Sequence, residues 1–148
     1  IISGKGDSGY DNDVCVLARR YVGSLVTVRA FDPDISREIY SVEDLFLMAS
    51  KSEPCGLSQM LASRYGTVPI VRETGGLLDS IKPVGAGGNG FTFANYNAYV
   101  MLYVIREAIN CYYNREFWPQ LVKRAMLSDF SWQRSAKEYE AIYGEMLK

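Results

Sequence analysis

The sequence predicts an α/β fold, a Rossmann-like doubly wound parallel sheet followed by C-terminal helices. Three observations carry that expectation. Short apolar, β-branched or aromatic runs recur with starts roughly 20 to 24 residues apart. The segments between them keep helical spacing and close on glycines, and beyond Phe93 only helical spacing remains. Strands that are apolar throughout and alternate with helices fit a parallel sheet covered on both faces, with right-handed crossovers.

In chain order, Ile1-Ile2 reads as the end of a buried strand. Val14, Leu17, Ala18 and Tyr21 then give a helix stopped near Gly23, and Leu25-Val26-Thr27-Val28 the second strand. Leu45-Phe46-Leu47-Met48 is the third strand. Leu57, Met60, Leu61 and Arg64-Tyr65 form a helix ending at Gly66, before the strand Pro69-Ile70-Val71. Lys82 to Asn89, with Gly85, Gly87 and Gly88, is the one stretch expected to be flexible, and Phe91-Thr92-Phe93 is the last strand. Asn97 caps a helix whose stripe is Ala98, Met101, Leu102, Ile105, Ala108, Ile109 and Tyr112. Leu121, Val122, Ala125 and Met126 follow Pro119. A final helix after Asp129-Phe130-Ser131 carries Trp132, Ala136, Tyr139, Tyr143 and Met146 on one side.

The 148 residues suffice for one domain, spanning 1–148, and no internal repeat or low-complexity tract interrupts them. The composition, 48% hydrophobic and 22% charged, excludes a disordered or collagen-like chain. A formal charge of −1 leaves no positive excess to hold a polyanion, so no nucleic-acid partner is expected. There is no histidine, and the three cysteines, Cys15, Cys55 and Cys111, are widely spaced. No metal site and no disulfide framework is therefore expected, and a cytoplasmic setting fits. No apolar run reaches the ~20 residues of a membrane span. Without an initiator Met, and opening on a strand end, the chain reads as a piece of a longer protein.

Ligands of open parallel sheets bind beyond the carboxyl ends of the strands, which directs attention to four loops. Ser3-Gly4-Lys5-Gly6-Asp7 lacks the third glycine of a dinucleotide fingerprint and is equally a tight turn. Glu53-Pro54-Cys55-Gly56-Leu57-Ser58-Gln59 sets a carboxylate, a stiffening proline and a glycine ahead of a helix, a pocket of backbone N–H donors suited to phosphate. Ser58 offers it a hydroxyl and Gln59 an amide; helix capping by Glu53 and Ser58 is the competing reading. Thr74-Gly75-Gly76 follows the next strand beside the charge of Arg72, again as ligand loop or plain turn. Phe31, just past a strand, is placed either to stack on a nucleobase or simply to pack.

The blocks Glu53 to Gln59, Tyr65-Gly66-Thr67-Val68-Pro69-Ile70-Val71-Arg72 and Thr74-Gly75-Gly76-Leu77-Leu78-Asp79 closely resemble the signature of bacterial glycogen synthases and plant starch synthases. Gly90-Phe91-Thr92-Phe93 and Asp129-Phe130-Ser131-Trp132 match in the same order, so the resemblance covers nearly the whole chain. It implies the C-terminal, donor-binding half of a two-domain (GT-B) retaining glucosyltransferase, truncated at its start, with the N-terminal acceptor-side domain absent. The donor implied is a nucleotide sugar, ADP-glucose or UDP-glucose, the acceptor an α-1,4-glucan bound by the missing half, and there is no cofactor.

By that resemblance Glu53 is catalytic, contacting donor-glucose hydroxyls and stabilising transition-state charge. Backbone N–H groups of Cys55, Gly56 and Leu57, with Ser58, hold sugar and distal phosphate; Thr74, Gly75 and Gly76 line the pocket; Phe31 faces the base. The pyrophosphate-gripping lysine and arginine of the family precede Ile1, so Lys5 is neither. Related enzymes carry a second glutamate eight positions on, where this chain has Leu61, so no carboxylate pair works here as in retaining glycosidases. Glu43 stands where a small residue is usual. The competing function is a non-catalytic nucleotide- or carbohydrate-binding module of the same fold, against which the retained Glu53 argues. The aromatic stripe of the last helix suggests a face that self-associates when its partner half is missing.

Overall fold

The computed structural model describes residues 1–4, 6–29 and 32–147, which form two compact units, Ile1–Ile39 and the residues from Tyr40 onward. In the first, β1 (Ile2–Ser3) lies parallel to β2 (Thr27–Val28), with Ile2 opposite Thr27. Between them runs α1 (Ser8–Arg20), capped by the Asp7 carboxylate, which accepts from the Gly9 N–H at 2.9 Å. Arg29 pairs with Asp11 at 3.2 Å.

Two helices had no counterpart in the sequence reading, a short one at Gly76–Ser80 and α2 (Pro33–Val42). The start of α2 is set by chemistry at Asp32 and Pro33. The Asp32 carboxylate accepts from the N–H groups of Asp34 (2.8 Å) and Ile35 (3.2 Å), while proline occupies the first turn, where its missing N–H costs nothing.

The second unit holds a parallel three-stranded sheet ordered β3 (Leu45–Met48), β4 (Val68–Arg72), β5 (Phe91–Phe93). The five expected strands thus pair as a two-stranded and a three-stranded parallel sheet. Central β4 is apolar from Val68 to Val71 and buried on both faces. Its alternate side chains serve two cores. Val68 and Ile70 pack with Phe91 and Phe93 against Ala108 of α5 (Ala98–Tyr112) and Leu121 of α6 (Trp118–Met126). Val71 faces the other way, onto Leu77 of α4 (Gly76–Ser80), Ile81 and Met48. The crossover helix α3 (Ser58–Tyr65) buries Gln59, Ala62 and Ser63, and ends at Gly66 with φ +92°, a left-handed cap.

Caps account for most remaining boundaries. The Asn97 side chain accepts from Tyr99 and Val100 N–H at 2.8 and 3.3 Å, starting α5 where its cap was expected. Ser131 caps α7 (Trp132–Met146) through the Arg134 N–H at 3.4 Å. Thr67, fully buried, donates its hydroxyl to the Tyr40 and Glu43 carbonyls at 2.8 and 2.9 Å.

One expectation needs correction. The Lys82 to Asn89 stretch is tied down: Asn89 accepts from Lys82 N–H at 2.8 Å and donates to Ser80 O and Ser128 Oγ, while Arg124 Nε donates to Gly88 O at 2.9 Å. Its glycines serve turns and close approach rather than mobility. A Cβ at Gly88 would collide with the Lys82 carbonyl oxygen. The wide stripe of α7 meets no core, as expected of a face without its partner. Trp132 is 86% exposed, Tyr139 and Tyr143 60% each and Met146 77%.

Candidate functional site

The site is built from two loops at the carboxyl ends of neighbouring strands β3 and β4. The first leaves β3 at Met48 and reaches α3 through Glu53, Pro54, Cys55, Gly56 and Leu57. The second leaves β4 at Arg72 and enters α4 through Thr74 and Gly75. Sequence reasoning expected both to line one pocket, and the structure brings them into direct contact. The Gly76 N–H donates to the carbonyls of Glu53 (3.1 Å) and Pro54 (3.2 Å).

That contact explains the glycine pair. A Cβ on Gly75 would collide with the Glu53 carbonyl oxygen, and one on Gly76 with the Cys55 carbonyl oxygen. Gly75 also sits at φ +46°, ψ −134°, backbone that side chains disfavour. The glycines are therefore there for backbone-to-backbone approach, and the Gly76 N–H is spent on that approach.

Glu53 is half-buried, Cys55 and Leu57 are exposed, and Gly56 adopts φ +72°. The N-cap of α3 is Leu57, and among the described residues no side chain makes a capping bond there, so neither Glu53 nor Ser58 caps the helix. Among the described residues, the N–H groups of Cys55, Gly56 and Leu57 donate to no protein acceptor. Ser58 and Thr74 are half-buried beside them. An acid and a run of unpaired N–H donors next to a helix N-terminus form a surface that can hold an anion or sugar hydroxyls. Phe31, expected on the nucleobase side, lies outside the described residues.

Two polar side chains sit differently from the sequence reading. Gln59, expected to offer its amide to a ligand, is fully buried; its Nε2 donates to Gly56 O (2.7 Å), Ser80 Oγ (3.0 Å) and Cys55 O (3.3 Å). Residue type alone could not reveal which way it turned. Arg72, expected as a charge beside the second loop, instead clamps the first: Nη1 donates to the Ser50 and Lys51 carbonyls at 3.3 and 2.8 Å, and the guanidinium lies 5.5 Å from the Tyr96 ring centre.

Two cavities open nearby. One of about 660 Å3 borders the first loop at Cys55 and Leu57, runs along α4 and reaches Ser131, Trp132 and Arg134 at the start of α7, without touching Glu53. At its edge the Ser131 hydroxyl and backbone N–H hold the Asp129 carboxyl below the usual carboxylate range. The other, about 250 Å3, lies past the ends of β3 and β5 between Ala49, Phe93, Tyr96, Asn97 and Met101. The apolar spacing of α5 gave no sign of it, although Tyr96-Asn97 just after a strand is the kind of place such a pocket forms.

Compared with known proteins, the chain matches no family model. It is 45% identical over 151 aligned positions to the glycogen synthase of Geobacillus thermodenitrificans and 44% to that of Geobacillus stearothermophilus, in each case over 100% of this chain and 31% of the relative. The chain thus spans about a third of the length of the curated relatives it matches. Among solved structures, the catalytic domain of starch synthase IV from Arabidopsis thaliana, bound to ADP and acarbose, superposes with a TM-score of 0.83 at 34% identity, over 96% of this chain and 31% of that one. A sucrose-phosphate synthase from Thermosynechococcus elongatus, at TM-score 0.65 and 20% identity, shares the fold over 97% of this chain.

Proposed function

We propose, from this chain's 45% identity to a glycogen synthase over its whole length, that residues 1–148 are the C-terminal donor-binding part of a retaining glucosyltransferase. The enzyme would move glucose from ADP-glucose to the non-reducing end of an α-1,4-glucan. The observation that carries this reading is the pairing of Glu53, free of any capping role, with the unpaired N–H groups of Cys55, Gly56 and Leu57 on a loop locked to Thr74-Gly75-Gly76.

Each part has a task the chemistry needs. The N–H groups and the Ser58 hydroxyl bind the distal phosphate and sugar hydroxyls, fixing the donor in the loop. Glu53 brings negative charge to the glucose side as the bond to phosphate breaks and the ring gains positive character. Thr74 and the two glycines complete the wall, and Phe31 takes the base. The acceptor glucan and the pyrophosphate-gripping side chains belong to the remainder of the enzyme, so this chain alone binds ADP weakly and transfers no glucose. Three free thiols suit a reducing cytoplasm, and among the described residues no helix is long and apolar enough to cross a membrane.

The test is glucan elongation by the full-length enzyme with ADP-glucose and, separately, UDP-glucose. Glu53→Gln keeps the loop's shape while removing the charge, so kcat should fall by about 100-fold or more with the melting temperature held. Near-normal turnover by the Gln variant would sink the catalytic role.

A further inference from the structure

Beyond the residues that would touch a ligand, we infer that Gln59 is a positioning residue: it aims the phosphate- and sugar-binding N–H groups of the first loop by holding the carbonyls behind them. This rests on the donor-binding reading above.

The argument begins with peptide geometry. In a planar trans peptide, the carbonyl of one residue and the N–H of the next point in opposite directions. Gln59 Nε2 pulls the Cys55 and Gly56 carbonyls inward at 3.3 and 2.7 Å. The N–H groups on the far side of those two peptides belong to Gly56 and Leu57, and among the described residues both are without a protein acceptor. Gly76 does the same one peptide earlier. Its N–H holds the Pro54 carbonyl at 3.2 Å, which turns the Cys55 N–H away. All three unpaired donors are therefore set by the bonds behind them, and two of the three by one side chain.

The amide can face only one way. Cys55 O and Gly56 O accept and never donate, so the nitrogen must be the atom beside them. Ser80 fixes it further. Its hydroxyl donates to Gly76 O at 2.7 Å and accepts from Gln59 at 3.0 Å, so one buried chain of bonds runs from the first loop through Gln59 and Ser80 to the second. Ser63 Oγ donates to Gln59 O at 2.8 Å, anchoring the same turn of α3. Among the described residues, Gln59 Oε1 is buried and unbonded. Tolerating that orphan in a fully buried amide is intelligible if the nitrogen's three contacts are what the position requires.

Removing those donors frees two peptides to rotate, and the loss should fall on groups beyond the nucleoside. In the full-length enzyme, Gln59→Met keeps the length and burial but cannot donate. We expect ADP to bind about 10-fold more weakly, as for one or two lost hydrogen bonds, with AMP affinity nearly unchanged and kcat reduced. General loosening of the fold would weaken both nucleotides alike. The ADP/AMP affinity ratio, measured by calorimetry on protein with a cooperative melt, is thus the deciding number. A folded Gln59→Met protein with the parent's ratio overturns the positioning role and leaves the donor-binding reading standing. A parent enzyme that does not bind ADP overturns both. If Gln59→Met does not fold, Ser80→Ala decides by the same ratio: a several-fold fall supports the inference, and an unchanged ratio ends it.

Discussion

A carboxylate oxygen buried without a partner raises the free energy of the fold, and the half-buried Glu43 has one. Its Oε2 is buried and unbonded among the described residues, and burial pushes its pKa above the ordinary value. The fold therefore favours the protonated form. The stability associated with that proton is complete below the ordinary glutamate range and is lost as pH rises through the elevated value. Glu43→Gln should accordingly raise the melting temperature by a few degrees at pH 7, and the gain should vanish near pH 4. Equal melting at pH 7 would show that Glu43 is adequately solvated. The same residue marks a limit of sequence reading. The family resemblance alone marked it as unusual, and its cost depends on packing. Likewise Glu53, Gln59 and Arg72 could each serve either a ligand or the backbone, and only tertiary contacts decide.

Among the elements, the loop between β4 and α4 works by close approach. Gly75→Ala would add a Cβ against the Glu53 carbonyl and force a side chain into φ +46°. A loss of about 1–3 kcal/mol is expected, seen as a melting temperature lower by several degrees together with weaker ADP binding as the first loop is displaced. Unchanged stability would mean that the contact yields easily. The strands β3 and β5 and the helices α3, α5, α6 and α7 were legible because apolar spacing and caps agree, as at Asn97 and Gly66. The helix α2 was not. It buries no residue fully, and its clearest signal was the Asp32-Pro33 start. The tethering of the Lys82 to Asn89 stretch was equally hidden, because Arg124 and Ser128, which hold it, lie more than thirty positions away.

At the scale of the whole molecule, the buried apolar residues fall between Ala62 and Ala125, while α7 contributes none. Its exposed Trp132, Tyr139, Tyr143 and Met146 match the face that sequence reasoning suspected of needing a partner. The isolated chain is expected to self-associate through this helix. Sedimentation velocity should show concentration-dependent association that Trp132→Ser with Tyr143→Ser abolishes, and a chain that stays monomeric at about 100 μM would count against it.

The pinned carbonyls of the first loop bear on where the specification of such a surface is written. Every amino acid except proline supplies an N–H, so the exposed positions Cys55 and Leu57 carry little information about binding through their side chains. The information sits behind them, in a buried amide and in glycines whose defining feature is an atom they lack. A survey of the exposed side chains would record little of what orients the loop's N–H groups, and a tolerant, variable-looking surface there would conceal a tightly constrained layer beneath it.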